Sequence, residues 1–283
     1  IFHEAFQNKQ NEIVDRAVKA GLKHVIVNGV DSETNRRVLD LCSKYPNILI
    51  PALGIYPIDA CAHELAADNS LFCNHSIDYP PPKPFDVENE IKFIEQQAEK
   101  HNIIAVGECG LDAHYVASGS TAFKKQEQVF EQFIEIALKH DIPLIIHSRK
   151  AESRVFDMLK YHKVLKADFH CFGGKMKLAQ QIAEEGYYMS IPSAVSRISN
   201  FQILAKRLPL DRILTETDAP FMGPTKAQLN EPSTIPIAVK AIAESRGESI
   251  DMITEAISQN FINLFGNPKK PYSYTPLDSE VNR

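Results

Sequence analysis

Apolar positions along the chain fall into two alternating patterns. Short, largely β-branched runs recur at His24–Val30, Asn47–Pro57, Ile103–Asp112, Pro143–Arg149, Lys166–Phe172, Tyr187–Val195 and Ile213–Pro220, and each predicts a strand. Between them the period changes to that of a helix. The clearest case is Ala122–His140, where Phe130, Phe133, Ile134, Ala137 and Leu138 recur at helical spacing with Lys and Glu elsewhere. The same reading predicts helices over Gln7–Ala20, Ser32–Tyr45, Val87–His101, Ala151–His162, Lys175–Glu185, Pro236–Ser245 and Asp251–Leu264. Gly21, Asp141 and Gly186 stand where a helix hands over to the next strand, as C-cap and turn chemistry requires.

Alternating strands and helices imply a parallel sheet with right-handed crossovers. Seven strands suit an open, doubly wound sheet, whereas a closed barrel needs eight. The helix Gln7–Ala20 comes first and expects a strand before it. The predicted fold is therefore an α/β TIM (β/α)8 barrel whose first strand would precede Ile1 and is missing from this sequence. Residues 1–266 are expected to form one barrel domain and residues 267–283 a C-terminal tail. Ala66–Phe85, with Pro80-Pro81-Pro82-Lys83-Pro84, reads as a long surface excursion.

Composition narrows the function. The 283 residues carry 31 Lys+Arg against 36 Asp+Glu, a formal net charge of −5, which argues against a broad basic face for gripping nucleic acid. No apolar run is long enough to span a membrane. The five cysteines (Cys42, Cys61, Cys73, Cys109 and Cys171) form no C-x-x-C pair, so they read as reduced thiols of an intracellular protein, and a cytoplasmic location is expected.

Candidate chemistry lies at the C-terminal ends of the predicted strands, the functional face of a parallel barrel. In order, these ends carry Tyr56, Glu108, His147, His170 and Asp218. Singly, each has a structural explanation: a histidine at a barrel rim, an aspartate making a turn before Ala219-Pro220. Together, two imidazoles and two carboxylates from different strand ends form a mixed nitrogen and oxygen set suited to zinc, manganese or magnesium. Glu108 has the two oxygens needed to bridge a cation pair. Asp218 is the better candidate for a general base. Arg149, and in the same way Lys175, would either neutralise an anionic substrate group or be a solvated loop cation. Glu216 shares the face of Asp218 but lies deeper, and His114 follows the Glu108 strand closely enough to line a pocket.

At these residues the chain resembles the TatD family of metal-dependent hydrolases. The matching blocks are Gly107-Glu108-Cys109-Gly110-Leu111-Asp112, His147-Ser148-Arg149, His170-Cys171-Phe172-Gly173-Gly174 and Glu216-Thr217-Asp218-Ala219-Pro220, with Asn230-Glu231-Pro232 and Asn263-Leu264-Phe265-Gly266 in support. The resemblance implies a TIM barrel and a centre of one or two divalent ions (Mg, Mn or Zn) held by Glu108, His147, His170 and Asp218. It further implies hydrolysis of phosphodiester bonds in DNA, as an exonuclease-like deoxyribonuclease acting on single strands or strand ends. The family's D-x-H-x-H element on the first strand would end just before Ile1. Tyr56 stands where the family commonly shows a histidine in a Gly-x-His-Pro turn, and its phenol can donate a hydrogen bond to phosphate. Two alternatives stay open: a metal-dependent ester or amide hydrolase, such as an aminoacyl-tRNA deacylase, and a catalytically impaired binding scaffold. The sequence leaves the oligomeric state open, monomer included.

Overall fold

The computed structural model describes residues 3–73 and 82–268. The expected tail lies outside the described residues from position 269 onward, as do His75 and the Pro80-Pro81 part of the surface excursion. Among the described residues, seven strands form one parallel sheet in sequence order: β1 Val25–Asn28, β2 Leu49–Leu53, β3 Ala105–Asp112, β4 Leu144–Arg149, β5 Ala167–Phe169, β6 Tyr188–Pro192 and β7 Ile213–Glu216. The sheet curls in the manner of a TIM barrel, with helices outside.

Local chemistry accounts for the elements. The helix Thr121–His140 starts where the Ser120 hydroxyl accepts the Phe123 N–H at 3.1 Å, and it stops where Asp141 turns left-handed at φ 53°. Its buried face carries Phe123, Gln126, Phe130, Phe133 and Ala137; Leu138, one residue around the helix from Ala137, is 44% exposed and outside the stripe predicted for it. Several strands are shorter than their apolar runs. β2 ends at Leu53, and Pro57 then opens the short helix Pro57–Ala60 as Tyr56 remains extended. β5 ends at Phe169 and β7 at Glu216, so His170 and Asp218 lie just past their ladders.

The interior is apolar at the strand starts and polar at the strand ends. Ile50, Ala52, Ile104, Ala105 and Ile145 pack together with Ile26, while Tyr188, Leu214 and Leu264 form a second group. Phe261 and Phe265, from the helix Ile250–Phe265, touch both groups and so tie the first strands to the last. A second tie joins the same two edges, with Arg16 of the helix Gln10–Lys19 gripping Glu231 through two hydrogen bonds of 2.7 Å each. Because side chains alternate along a strand, the inward set that begins Ile26, Ile145 and Leu214 continues two residues later as Asn28, His147 and Glu216. A polar layer therefore sits directly above the apolar plug.

Candidate active site

The position of Glu108 depends on an irregularity in β3. The β3–β4 pairing runs from Val106↔Leu144 to Cys109↔Ile146, so three steps on β3 answer two on β4. The extra residue is a bulge, which breaks alternation and re-aims a side chain. Glycines make room for it. A Cβ on Gly54 would stand 2.3 Å from the Glu108 carbonyl oxygen, and Gly110, at φ +132°, lies where a Cβ would be 2.1 Å from the His147 carbonyl.

Glu108, His147 and His170 each direct a ligand-type atom to within 4.8 Å of the others. Glu108 Oε1 is 3.1 Å from His147 Nδ1 and 3.9 Å from His170 Nε2. Asp218 flanks this group, with Oδ1 3.9 Å from His170 Nε2, and its side chain is the most open of the four at 34% exposed. Asp218 holds a left-handed backbone at φ 55°, which turns the chain as it leaves β7.

Each imidazole has its far nitrogen occupied by a carboxylate. His147 Nε2 meets Asp112 Oδ2 at 2.9 Å, and His170 Nδ1 is hydrogen-bonded to Glu216 Oε2. These partners are themselves anchored. Asp112 Oδ1 accepts the backbone N–H groups of His114 and Tyr115 at 2.7 and 3.0 Å, and the Ser190 hydroxyl donates to Glu216 at 2.8 Å. With the outer nitrogens donating to carboxylates, loss of the inner protons would leave His147 Nδ1 and His170 Nε2 lone pairs aimed at the space beside Glu108. This is the carboxylate–histidine arrangement that orients metal-binding imidazoles.

Crowding sets the electrostatics. Burial alone would push the Glu108 carboxyl up, but the His170 and His147 imidazoles outweigh it and hold the group below its usual range. Burial would likewise lower His147, yet the hydrogen bonds to Asp112 and Glu108 carry it up to about 9. Burial pushes Asp218 up to about 7, with His170 opposing. Asp168, buried and facing Glu216, is also pushed up to about 7. Five carboxylates thus crowd two imidazoles in a low-dielectric space.

The donor set fits a divalent cation. Glu216 Oε1 and Asp168 Oδ1 are buried with no hydrogen-bond partner among the described residues, a costly arrangement for carboxylates unless positive charge lies nearby. Mixed imidazole and carboxylate ligands suit zinc or manganese as well as magnesium.

The remaining sequence candidates sit on the rim. Tyr56 places its ring edge-on to His147 at 4.8 Å between centroids, with its hydroxyl 3.4 Å from Asp112 Oδ2. Arg149 is exposed over the Tyr115 ring at 5.3 Å, and Lys175 is exposed as the N-cap residue of the helix Met176–Glu184. Sequence reasoning assigned no role to Asp112, Asp168 or Ser190. Two of them had a usable signal, Asp168 two residues before His170 on the same strand face and Asp112 as the acid that closes its predicted strand; Ser190 acts through a neighbouring strand and had none.

The model of the family described as TatD related DNase matches residues 1–266. The chain belongs to this family. It is accordingly a metal-dependent hydrolase that acts on ester bonds. Human deoxyribonuclease TATDN3 is 30% identical over 261 residues, covering 92% of this chain and 90% of the human protein. The 3'-5' ssDNA/RNA exonuclease TatD of Pectobacterium carotovorum is 26% identical, covering 92% and 94%. Among solved structures, YjjV, a TatD homologue from Escherichia coli, superposes with a TM-score of 0.75 at 26% identity, over 94% of this chain and 95% of that one. Among the described residues, no helix is long and apolar enough to cross a membrane.

The carboxylate behind His147 supports one prediction. Asp112→Asn keeps the shape but offers an amide where the imidazole N–H needs an acceptor, so divalent-metal affinity is expected to fall about 10- to 100-fold. Titration of the metal against a competing chelator measures it; unchanged affinity would contradict the orienting role.

Proposed function

We propose that this chain is a deoxyribonuclease that hydrolyses phosphodiester bonds of single-stranded DNA or of strand ends. One observation carries the reading: Glu108, His147 and His170 converge on one point, each imidazole is backed by a carboxylate, and Asp218 stands at the open side. The names of the human and Pectobacterium relatives support a nucleic-acid substrate.

In this reading Glu108, His147, His170 and Asp218 hold one or two divalent cations. A cation bound there supplies Lewis acidity toward a phosphoryl oxygen and lowers the pKa of water beside it. Asp218 takes the proton of the attacking water, because it combines burial with the widest opening to solvent among the four. Asp112 and Glu216 keep the imidazoles in the orientation that aims lone pairs inward. Tyr56, with its hydroxyl beside the outer nitrogen of His147 and Asp112, has a phenolic O–H to offer a phosphate oxygen. Arg149, exposed at the end of β4, meets negative charge farther along the nucleic-acid strand.

The net charge of −5 suits a site that meets few phosphates closely better than one that clamps a long duplex. The test is direct. Purified protein supplied with Mg2+, Mn2+ or Zn2+ is expected to release nucleotides from single-stranded DNA, and a chelator to stop the release. Metal bound in stoichiometric amount with no nucleotide released would sink the reading. Release of amino acid from charged tRNA under the same conditions would redirect it to another ester.

A further inference from the structure

We propose that Phe221 is a stacking platform for a nucleobase next to the scissile phosphate, and hence a substrate-positioning residue. This rests on the nuclease reading above and names the part of the substrate recognised beside the reacting group.

Phe221 lies three residues beyond Asp218, and its backbone N–H donates to the Asp218 carbonyl at 2.8 Å. The tight turn keeps the Phe221 backbone next to Asp218. The side chain is 59% exposed, and it meets the exposed His3 ring edge-on with centroids 5.8 Å apart. Leu229, on the returning arm of the same loop, is 60% exposed.

The loop that carries these apolar groups is firmly anchored. Asn230, only 1% exposed, donates from Nδ2 to the Thr217 carbonyl at 2.6 Å, and its backbone N–H donates to the Pro220 carbonyl at 2.9 Å. Its Oδ1 accepts the Glu231 N–H at 3.0 Å and the Thr234 hydroxyl at 2.6 Å. Arg197 Nε donates to the Gly223 carbonyl at 2.9 Å, and a Cβ on Gly223 would approach the Asn230 Cβ to 3.2 Å. The buried Asn230 and the exposed Arg197 thus hold both arms of the loop while the aromatic ring is largely in water. Such a ring contributes little to folding, since apolar area stabilises only when it leaves water. A solvated aromatic on an anchored loop beside a reaction centre is instead prepared to bind, because the loop backbone is already ordered when a flat partner arrives.

Charge selects the partner. With a net charge of −5 and a carboxylate-rich centre, a broad attractive field for a polyanion is absent. Stacking of a base on an aromatic ring needs no such field, and it tolerates every base because each has a π face. A strand whose phosphate reaches Asp218 brings its adjoining base within reach of a ring three residues further along.

The experiment compares oligothymidylate with its fully abasic deoxyribose-phosphate counterpart. Both carry phosphorothioate linkages, so binding is read by fluorescence anisotropy without cutting. Wild-type protein with Mg2+ is expected to bind the base-bearing strand about tenfold more tightly. Phe221→Leu, still apolar but without a π face, is expected to bring that ratio to about one, and Phe221→Trp to keep it near about tenfold. A wild-type ratio of one, or a leucine variant with the wild-type ratio, overturns the proposal. Failure of the nuclease reading looks different: the base preference is present, yet natural phosphodiester linkages stay uncut.

Discussion

Glu108→Gln is expected to lose hydrolytic activity by at least about a thousandfold. Among the described residues, Glu108 is the one carboxylate within 4.0 Å of both imidazoles, at 3.1 Å from His147 and 3.9 Å from His170. The amide keeps its volume and still meets His147, so the bulge in β3 has no steric reason to rearrange. What disappears is the negative charge that, between the two imidazoles, makes the cluster a cation site. The metal-free variant is expected to be less stable than the wild type, because the His147 and His170 imidazoles that hold the Glu108 carboxyl below its usual range lose the charge they face. The rise in Tm on adding divalent metal should vanish with the activity. Thermal melts with and without Mn2+, run beside the nuclease assay, check both parts. Full activity in this variant would remove Glu108 from the centre.

Asp218→Asn is expected to separate metal binding from chemistry. Glu108, His147 and His170 remain, so the protein should keep a divalent ion, although more weakly. The general base is gone, and its removal is expected to lower kcat by about 10^2- to 10^4-fold. Metal content by mass spectrometry and kcat with saturating metal decide the matter. A variant that loses its metal as completely as Glu108→Gln would make Asp218 a ligand first and a base second. A variant with normal kcat would exclude the base role altogether.

The fold was legible because the two hydrophobic periods are local properties. Period two and period 3.6 differ within a single element, so the alternation of strands and helices could be read without knowing what each element packs against. Element ends were less legible. Leu138 continues the apolar rhythm of its helix but points away from the sheet, since only packing decides where a stripe stops. His170 and Asp218 follow apolar runs, yet they stand past the ends of β5 and β7. Backbone turns there, not the strands themselves, deliver these side chains.

The site was legible in its residue types and not in its wiring. Glu108, His147, His170 and Asp218 stood out as ionisable groups after apolar runs. Nothing in their spacing showed that Asp112 belongs to His147, or that Glu216 belongs to His170 and not chiefly to Asp218. Those pairs lie on different strands, separated by 35 and 46 residues. Strand register and barrel curvature bring them together.

By itself, then, the sequence determined the succession of elements, the parallel sheet and the set of ionisable groups at the strand ends, because propensity and periodicity act over a few residues. Only the tertiary structure decided which nitrogen of each imidazole faces inward, how the bulge in β3 turns Glu108 toward both, and which buried oxygens lack a partner. Those are distances between strands. They follow from ladder register and from the curling of the sheet around the interior, and no local rule contains them.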